Sequence, residues 1–376
     1  MSKIKIMAEN NIQLEAEGSD LFVQQERKAF IDMISDKSTI KSVVALQKAM
    51  QPPETPANIN SDVVAIYDNA GIPSIMYKFT KKSNKELFGG SNKANAAFII
   101  DGKEYDEIYI SVYPNTMING KPYSLPFTKP ATNIGNDDAA KACFSKGDGW
   151  HLLTAVEWGL IANASLKNGT LPHGNTNSGR YNNTDECGVT YDDCRTLTGS
   201  GPATWTHNHT QEGIHDLCGN VWEMVRGLRL LNGKLQAAEN NDAAMNIDLS
   251  KESDLWKSVN DDTGNYIRLS VNGDGDIAIT SEKEYDDAEH NYDGSKWKDV
   301  TIECASEQMK ELALFPGEPD AYFYVDSTEG EYFPFRGGRW LDGADAGVFA
   351  SDLCSPRSFV GTNIGFRSAF YRKTEN

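Results

Sequence analysis

Apolar and polar residues alternate from Lys3 to Glu17 on both sides of Glu9-Asn10-Asn11, a period-two pattern that predicts a small hairpin. The period changes after Ser19. Leu21, Phe22, Ala29, Phe30, Met33 and Ile34 fall at three-to-four spacing, and a second apolar series runs from Ile40 to Leu46, so residues 19–50 read as helical. Gln51-Pro52-Pro53-Glu54-Thr55-Pro56 stops any helix and reads as a linker. Residues 1–60 are thus expected to form a docking or assembly unit, and residues 61–376 the main domain.

Beyond the linker the pattern predicts short β segments with strong turn signals. Ala96–Ile100 and Glu107–Tyr113 flank a connection that opens with Asp101-Gly102, and Asn119-Gly120 punctuates the next pair, as turns requiring positive φ do. Two helices follow. One runs from about Asp137 to Lys146, with Asn136 as N-cap and Gly147 past its end; the other opens on the capping box Thr154 to Glu157 and stops at Asn168-Gly169. Gly, Asn and Thr then dominate to Asp216, an irregular surface region, and the remainder is short strands and loops. The expected class is α+β, rich in loops.

The chain has 376 residues, with 36 Lys+Arg against 54 Asp+Glu and a formal net charge of −18. That balance argues against nucleic acid or an anionic membrane as partner, since either needs a basic footprint. Ala237–Asp320 holds 21 acidic and 7 basic residues, so −14 of the charge lies there. This stretch reads as an acidic insertion rather than a core-forming segment. Within it, Asn272–Asp276 could be a calcium loop, but the spacing lacks the rest of an EF-hand and a solvated hairpin turn is favoured. No stretch approaches the roughly 20 apolar residues of a membrane helix, and no apolar run or cleavage site follows Met1, so no standard export signal is expected. Six cysteines without a CxxC pair read as reduced, mostly buried thiols.

Three phrases stand at wide separation. They are Gly149 to Trp158 (Gly-Trp-His-Leu-Leu-Thr-Ala-Val-Glu-Trp), Gly213 to Glu223 (ending Gly-Asn-Val-Trp-Glu), and Phe335 to Trp340 (Phe-Arg-Gly-Gly-Arg-Trp), closing with Ile364-Gly365-Phe366-Arg367. Taken alone they read as packing residues: alternation about Trp222 suits a strand, and Gly337 and Gly338 allow close backbone approach beside Trp340. In this order they resemble the formylglycine-generating-enzyme (sulfatase-modifying factor) branch of the C-type lectin fold, over roughly residues 70–370. That resemblance implies an α+β, loop-rich C-type lectin fold of the formylglycine-generating-enzyme type.

The enzymatic chemistry of that branch lacks its residues here. The resemblance implies a pair of closely spaced cysteines after the final Gly-Gly, where a thiolate holds copper. Arg339–Gly347 contains no cysteine, and Cys354 stands alone. The related iron-dependent sulfoxide synthases imply a histidine triad. His207, His209 and His215 lie in and beside a Thr-, Asn- and Gly-rich loop without convergent spacing, and are expected to face solvent or be hydrogen-bonded. No catalytic residue and no metal site is therefore expected. A metal-dependent oxidase stays as the alternative, beside a purely structural virion component.

The final unit is more closely similar to the variable proteins of diversity-generating retroelements of phages and prophages. In that group Arg-Gly-Gly-x-Trp-x-x-Gly-Ala-x-Ala-Gly-Val-Phe-Ala and Thr-Asn-Ile-Gly-Phe-Arg-Ser-Ala form a fixed frame around hypervariable positions. Arg336–Ala350 and Thr362–Ala369 carry that frame. With Asp106–Ser111, Tyr123–Pro126, Gly199–Thr206 and Gly227–Leu230, the likeness covers about four-fifths of the chain.

The resemblance implies a variable region over 336–367. Its ligand-binding positions would be Arg339, Leu341, Asp342, Asp345, Ser351, Asp352, Leu353, Cys354, Ser355, Phe359, Val360 and Gly361, with Pro356 either frame or variable. Trp222, Gly337, Gly338, Trp340, Phe349, Gly365, Phe366 and Arg367 would be the scaffold. The mix of aliphatic, aromatic, acidic and thiol side chains at the twelve ligand-binding positions is incoherent as a catalytic set and suits a display surface with a few apolar anchors. Arg336–Asn376 carries six basic and four acidic residues, a face near neutrality. The expected function is non-enzymatic recognition of a protein or other ligand on a host or target cell surface. The expected setting is a phage tail-tip adhesin, placed in the virion after cytoplasmic synthesis and docked on the tail through residues 1–60. No cofactor is implied, a structural calcium or magnesium ion is left open, and so is a homo-oligomer.

Overall fold

Asp101 and Gly102 both adopt positive φ (55° and 67°), the mirror-image turn that suits the twist of paired strands. They join Ile99–Ile100 to Lys103–Glu104 in a tight hairpin. Asn119 and Gly120 (51° and 79°) do the same between Thr116–Ile118 and Lys121–Tyr123. The expected partner of the first segment is corrected: Ala96–Phe98 is a buried 3-10 turn, and Glu107–Ser111 pairs instead with Pro73–Thr80.

The computed structural model describes residues 2–7, 13–18, 62–282 and 291–373. The helical stretch 19–50, the linker 51–56 and most of the acidic run 282–289 lie outside the described residues. The chain forms two units, Met1–Ser61 and Asp62–Asn376. In the first, Ser2–Met7 pairs antiparallel with Gln13–Gly18, Met7 opposite Gln13, as the alternation predicts.

In the second unit the regular structure of the described residues is mostly β. There are four α-helices, of which only Asn136–Phe144 and Ala155–Asn168 exceed five residues, so the expected α+β balance shifts toward strand. Thr154 caps the longer helix as predicted: its hydroxyl accepts from the Glu157 amide while the Glu157 carboxylate accepts from the Thr154 amide, and Gly169 closes the helix in the left-handed region. Most of this helix is buried, which is why its apolar residues show no single stripe. For Asn136–Phe144 the cap is corrected. Gly135 is the N-cap, and Asn136 is a buried first residue whose Nδ2 donates to the Val225 carbonyl at 3.3 Å. No helix of the described residues is long and apolar enough to cross a membrane.

A five-stranded antiparallel sheet runs in the order Trp150–Leu152, Ser368–Phe370, Glu107–Ser111, Pro73–Thr80, Val63–Tyr67. It seats Ser368–Phe370 against Trp150–Leu152 of the first phrase. The other large sheet has twelve strands and carries the second and third phrases. Glu331–Gly337 is paired with Gly347–Pro356 on one side and with Leu228–Leu231 and Trp222–Met224 on the other. Gly347–Pro356 runs parallel to Tyr322–Asp326 on its far side. Trp222–Met224 in turn runs parallel to Ile364–Phe366.

The acidic segment is also corrected. Tyr266–Val271 and Ile277–Glu282 extend the twelve-stranded sheet, and Ile267, Leu269, Val271, Ile277, Ile279, Trp297, Met309 and Leu312 are buried in the main core. Several of its described carboxylates, such as Asp261, Asp274, Asp276 and Asp293, are exposed or half-buried on turns and strand positions, so net charge hides an apolar alternation. Asn272–Asp276 is the hairpin turn between these strands, with the Asn272 side chain accepting from the Asp274 and Asp276 amides. The expectation of mostly buried thiols is corrected as well: all six cysteines are free, but only Cys143 and Cys218 are buried.

Candidate functional site

The first and third phrases meet at the strand Gly347–Pro356, and the second joins the third where Glu223 pairs with Arg336. Trp158, from the long helix, donates its indole N–H to the Val348 carbonyl at 2.8 Å, and Trp297 donates to the Phe349 carbonyl at 2.9 Å. Arg336 is fully buried on the interior side of the sheet and spans to Ser351 Oγ (2.7 Å) and to the Leu312 and Ala313 carbonyls (2.5 and 3.3 Å). Burial without a carboxylate partner lowers its guanidinium to about 9. Gly337 has φ +94°, accepts from the Gly219 amide at 2.9 Å, and leaves no room for a side chain: a Cβ there would stand 2.7 Å from the Leu217 carbonyl oxygen. Val348, Phe349 and Phe366 are fully buried. The backbone that carries the candidate positions is therefore held from beneath by large side chains.

Two loops emerge from this base. In Gly338–Ala346, Arg339 Nε donates to Asp342 Oδ1 at 3.0 Å, and the Gly343–Asp345 turn is tied to the Thr176 carbonyl at 3.0 Å. Leu341 at its tip is 58% exposed. In Pro356–Asn363, Phe359 is 40% and Val360 50% exposed, with the Phe359 ring 5.9 Å from that of Phe335. Arg195 links the loops: its Nη1 donates to the Thr362 carbonyl at 2.7 Å and its guanidinium lies 5.3 Å from the centre of the half-buried Trp340 ring. The Ser178 amide donates to the Trp340 carbonyl at 2.8 Å. The Gly-, Asn- and Thr-rich stretch before Asp216, which reads from sequence as bare surface, is thus the cradle of the site.

Between the loops, strand alternation sorts the remaining positions. Asp352 and Cys354 are half-buried and outward, whereas Ser351, Leu353 and Ser355 are buried, Leu353 with no exposure. Three of the twelve expected positions, Ser351, Leu353 and Ser355, thus lie on the face turned from solvent, because successive side chains of a strand point to opposite faces. Gly361 offers its carbonyl to the Asn133 amide at 3.1 Å. Arg357, which sequence reasoning passed over, is an anchor: it reaches Asp137 (2.9 Å), Glu331 (3.2 Å) and the Leu249 carbonyl (2.6 Å).

The same outward face gains residues from strands that precede the expected variable region 336–367. Tyr324 sits beside Asp352 in register, and Tyr292 beside Asp326. Tyr322 and Tyr324 rings are 4.7 Å apart, and Trp222 meets Tyr324 edge-on at 6.5 Å. The alternation Tyr322-Phe323-Tyr324-Val325-Asp326, with Phe323 and Val325 fully buried, is the signal that could have found them. Burial, with the Asp342 charge nearby, pushes the Asp352 carboxyl up to about 6. Burial and the Asp352 and Asp326 charges raise the Cys354 thiol, so its reactive thiolate is disfavoured.

The three histidines do not form a ligand set. His207 Nδ1 accepts from the Ile214 amide (2.9 Å), His209 Nε2 meets the Leu171 carbonyl (3.0 Å) and His215 Nε2 the Gln211 carbonyl (3.2 Å). They are hydrogen-bonded, and His207 and His215 are buried rather than solvent-facing. Among the described residues no group of three His, Cys, Asp or Glu side chains is placed to hold a metal ion.

No protein-family model matches the chain, and no curated protein matches it. Among solved structures it is similar to the Major Tropism Determinant I1, M1 and U1 variants, at 12%, 12% and 13% identity with TM-scores of 0.32, 0.30 and 0.29, each covering 84% of this chain and 73% of the other.

Proposed function

We propose that the chain is a non-enzymatic binding protein that displays a diversified face to a receptor, with a C-type lectin fold of the formylglycine-generating-enzyme type. The observation that carries this reading is the division of labour within Arg336–Arg367. Arg336, Phe349, Phe366 and Arg367 are buried and Trp340 is pinned, whereas Leu341, Phe359 and Val360 project into solvent. Side chains at the second set can change without disturbing the first, which is what a diversified surface requires. The display set in this reading is Arg339, Leu341, Asp342, Asp345, Asp352, Cys354, Phe359, Val360 and Gly361. It needs no cofactor.

In the same reading the protein is a phage tail adhesin. Residues 1–60 dock it to the virion, and several copies raise avidity above a weak single-site affinity. The test begins at the locus. A neighbouring reverse-transcriptase gene is expected, with a near-repeat of the codons for residues 336–367 that differs only where the repeat carries adenine. A locus without that repeat removes diversification from the proposal. Labelled protein should then bind a host cell surface, and a Leu341→Asp/Val360→Asp variant that keeps its fold should not; equal binding by both would remove the assigned face.

A further inference from the structure

The outward face of the twelve-stranded sheet combines three properties that no single loop explains. Its rim is apolar, from Leu341, Phe359 and Val360. Its floor is aromatic: Tyr324 lies against Tyr322 at 4.7 Å and Trp222 at 6.5 Å, and Tyr292, 56% exposed, flanks them one strand further out. Its charges are unbalanced. Arg339 is taken by Asp342 at 3.0 Å and Lys296 lies 3.8 Å from Asp345. Asp326 and Asp352, by contrast, have no basic side chain within 4 Å among the described residues.

Those two carboxylates are not left bare by chance of rotamer. Asp326 Oδ1 accepts from the Thr328 amide (3.0 Å) and hydroxyl (2.6 Å), and Asp352 Oδ1 accepts from the Cys354 amide (2.8 Å). Asp352 is fixed by its own strand and Asp326 by the turn that follows its strand, and the further side-chain hydrogen bonds they take, from the Cys354 thiol and the Tyr332 hydroxyl, leave their charge without a cation. Parallel register sets Asp352 beside Tyr324, and Asp326 lies two residues along that strand on the same side. An electron-rich ring face bordered by fixed carboxylates attracts a cation both by its quadrupole and by charge-assisted hydrogen bonds. The apolar rim suits the side chains that flank a basic residue in a peptide chain.

We propose that this face binds a protein partner by seating one of its arginine or lysine side chains over Tyr324, between Asp352 and Asp326. The inference rests on the display reading above and gives that reading a partner chemistry. Leu341, Phe359 and Val360 then pack on the residues beside the cation, and Trp222 and Tyr322 hold Tyr324 in place.

The experiment selects binders to the full chain from a random peptide library displayed on a carrier. It is run in parallel on the parent, on Asp352→Asn/Asp326→Asn, and on Leu341→Asp/Val360→Asp, each first shown to unfold at the parent's denaturant midpoint within error. Peptides enriched on the parent are expected to carry arginine or lysine well above the input frequency. Arginine-to-citrulline replacement in such a peptide should weaken it about tenfold, near 1.4 kcal/mol, and the Asn double variant should erase that difference. Enrichment that depends on Leu341 and Val360 but shows no basic residue overturns the cation assignment and leaves the display face standing. Enrichment identical on all three proteins overturns both.

Discussion

Arg367 and Glu223 form a buried pair: Arg367 Nε donates to Glu223 Oε2 at 2.6 Å, and Arg367 Nη2 also reaches the Ser111 sheet's neighbour His215 through its carbonyl at 3.0 Å. Nη1 donates to the Ser111 carbonyl at 3.1 Å. One guanidinium therefore joins the last phrase of the chain to the second phrase and to the five-stranded sheet. Two charges removed from water repay their desolvation only while both are present. Arg367→Met should destabilise the protein by about 3–5 kcal/mol, and Arg367→Met/Glu223→Gln by clearly less. Urea unfolding checks this; equal losses for the single and double variants would show that the pair is not coupled.

Leu353 and Leu341 lie twelve residues apart in the same candidate variable region but in opposite surroundings. Leu353 has no exposure and Leu341 is 58% exposed. Leu353→Ala should cost about 2–5 kcal/mol through lost contacts and a cavity, and Leu341→Ala should stay within about 0.5 kcal/mol. Comparable midpoints in chemical denaturation would contradict the strand alternation assigned to Gly347–Pro356.

Lys146 is buried with its ammonium 3.4 Å from the Trp150 ring centre and 2.7 Å from Ser74 Oγ. Burial pushes it down from 10.5 to about 7, partly offset by Cys143 and Asp68. Between those two values the unfolded chain holds a proton that the folded chain has released, so this group favours folding increasingly as pH rises through that window. Relative to Lys146→Met, the parent should gain on the order of 2 kcal/mol between pH 7 and 9. Parallel stability curves for the two proteins would show that the amine is not desolvated.

Gly337 combines φ +94° with a carbonyl oxygen 2.7 Å from where a Cβ would sit. Gly337→Ala should cost about 1–3 kcal/mol from backbone conformation alone, with the Leu217 clash added. It should also loosen the loop that begins at Gly338. Calorimetric unfolding and amide exchange at Trp340 and Leu341 read the two effects separately; a variant with unchanged melting and exchange would mean that the turn relaxes freely.

Local chemistry was legible wherever one short segment decides its own shape. The Asn119-Gly120 turn and the Gly169 stop follow from backbone that favours positive φ, the Thr154–Glu157 capping box from side chains that bond backbone groups three residues away, and the pairing of Ser2–Met7 with Gln13–Gly18 from period-two alternation. The three phrases also contain buried anchors: Trp158 has one indole donor for one carbonyl, and the guanidiniums of Arg336 and Arg367 each tie several groups together. What only the tertiary structure decided concerns partners far along the chain. Arg195 bridges two loops more than 140 residues later, Tyr322 and Tyr324 join the candidate face through parallel pairing with Ser351–Leu353, and Leu353 turns inward because that face of its strand packs on the main core. Net charge misread the segment 237–320 for the same reason. Charge sums over residues, whereas burial depends on which alternate side chains the neighbouring strands cover.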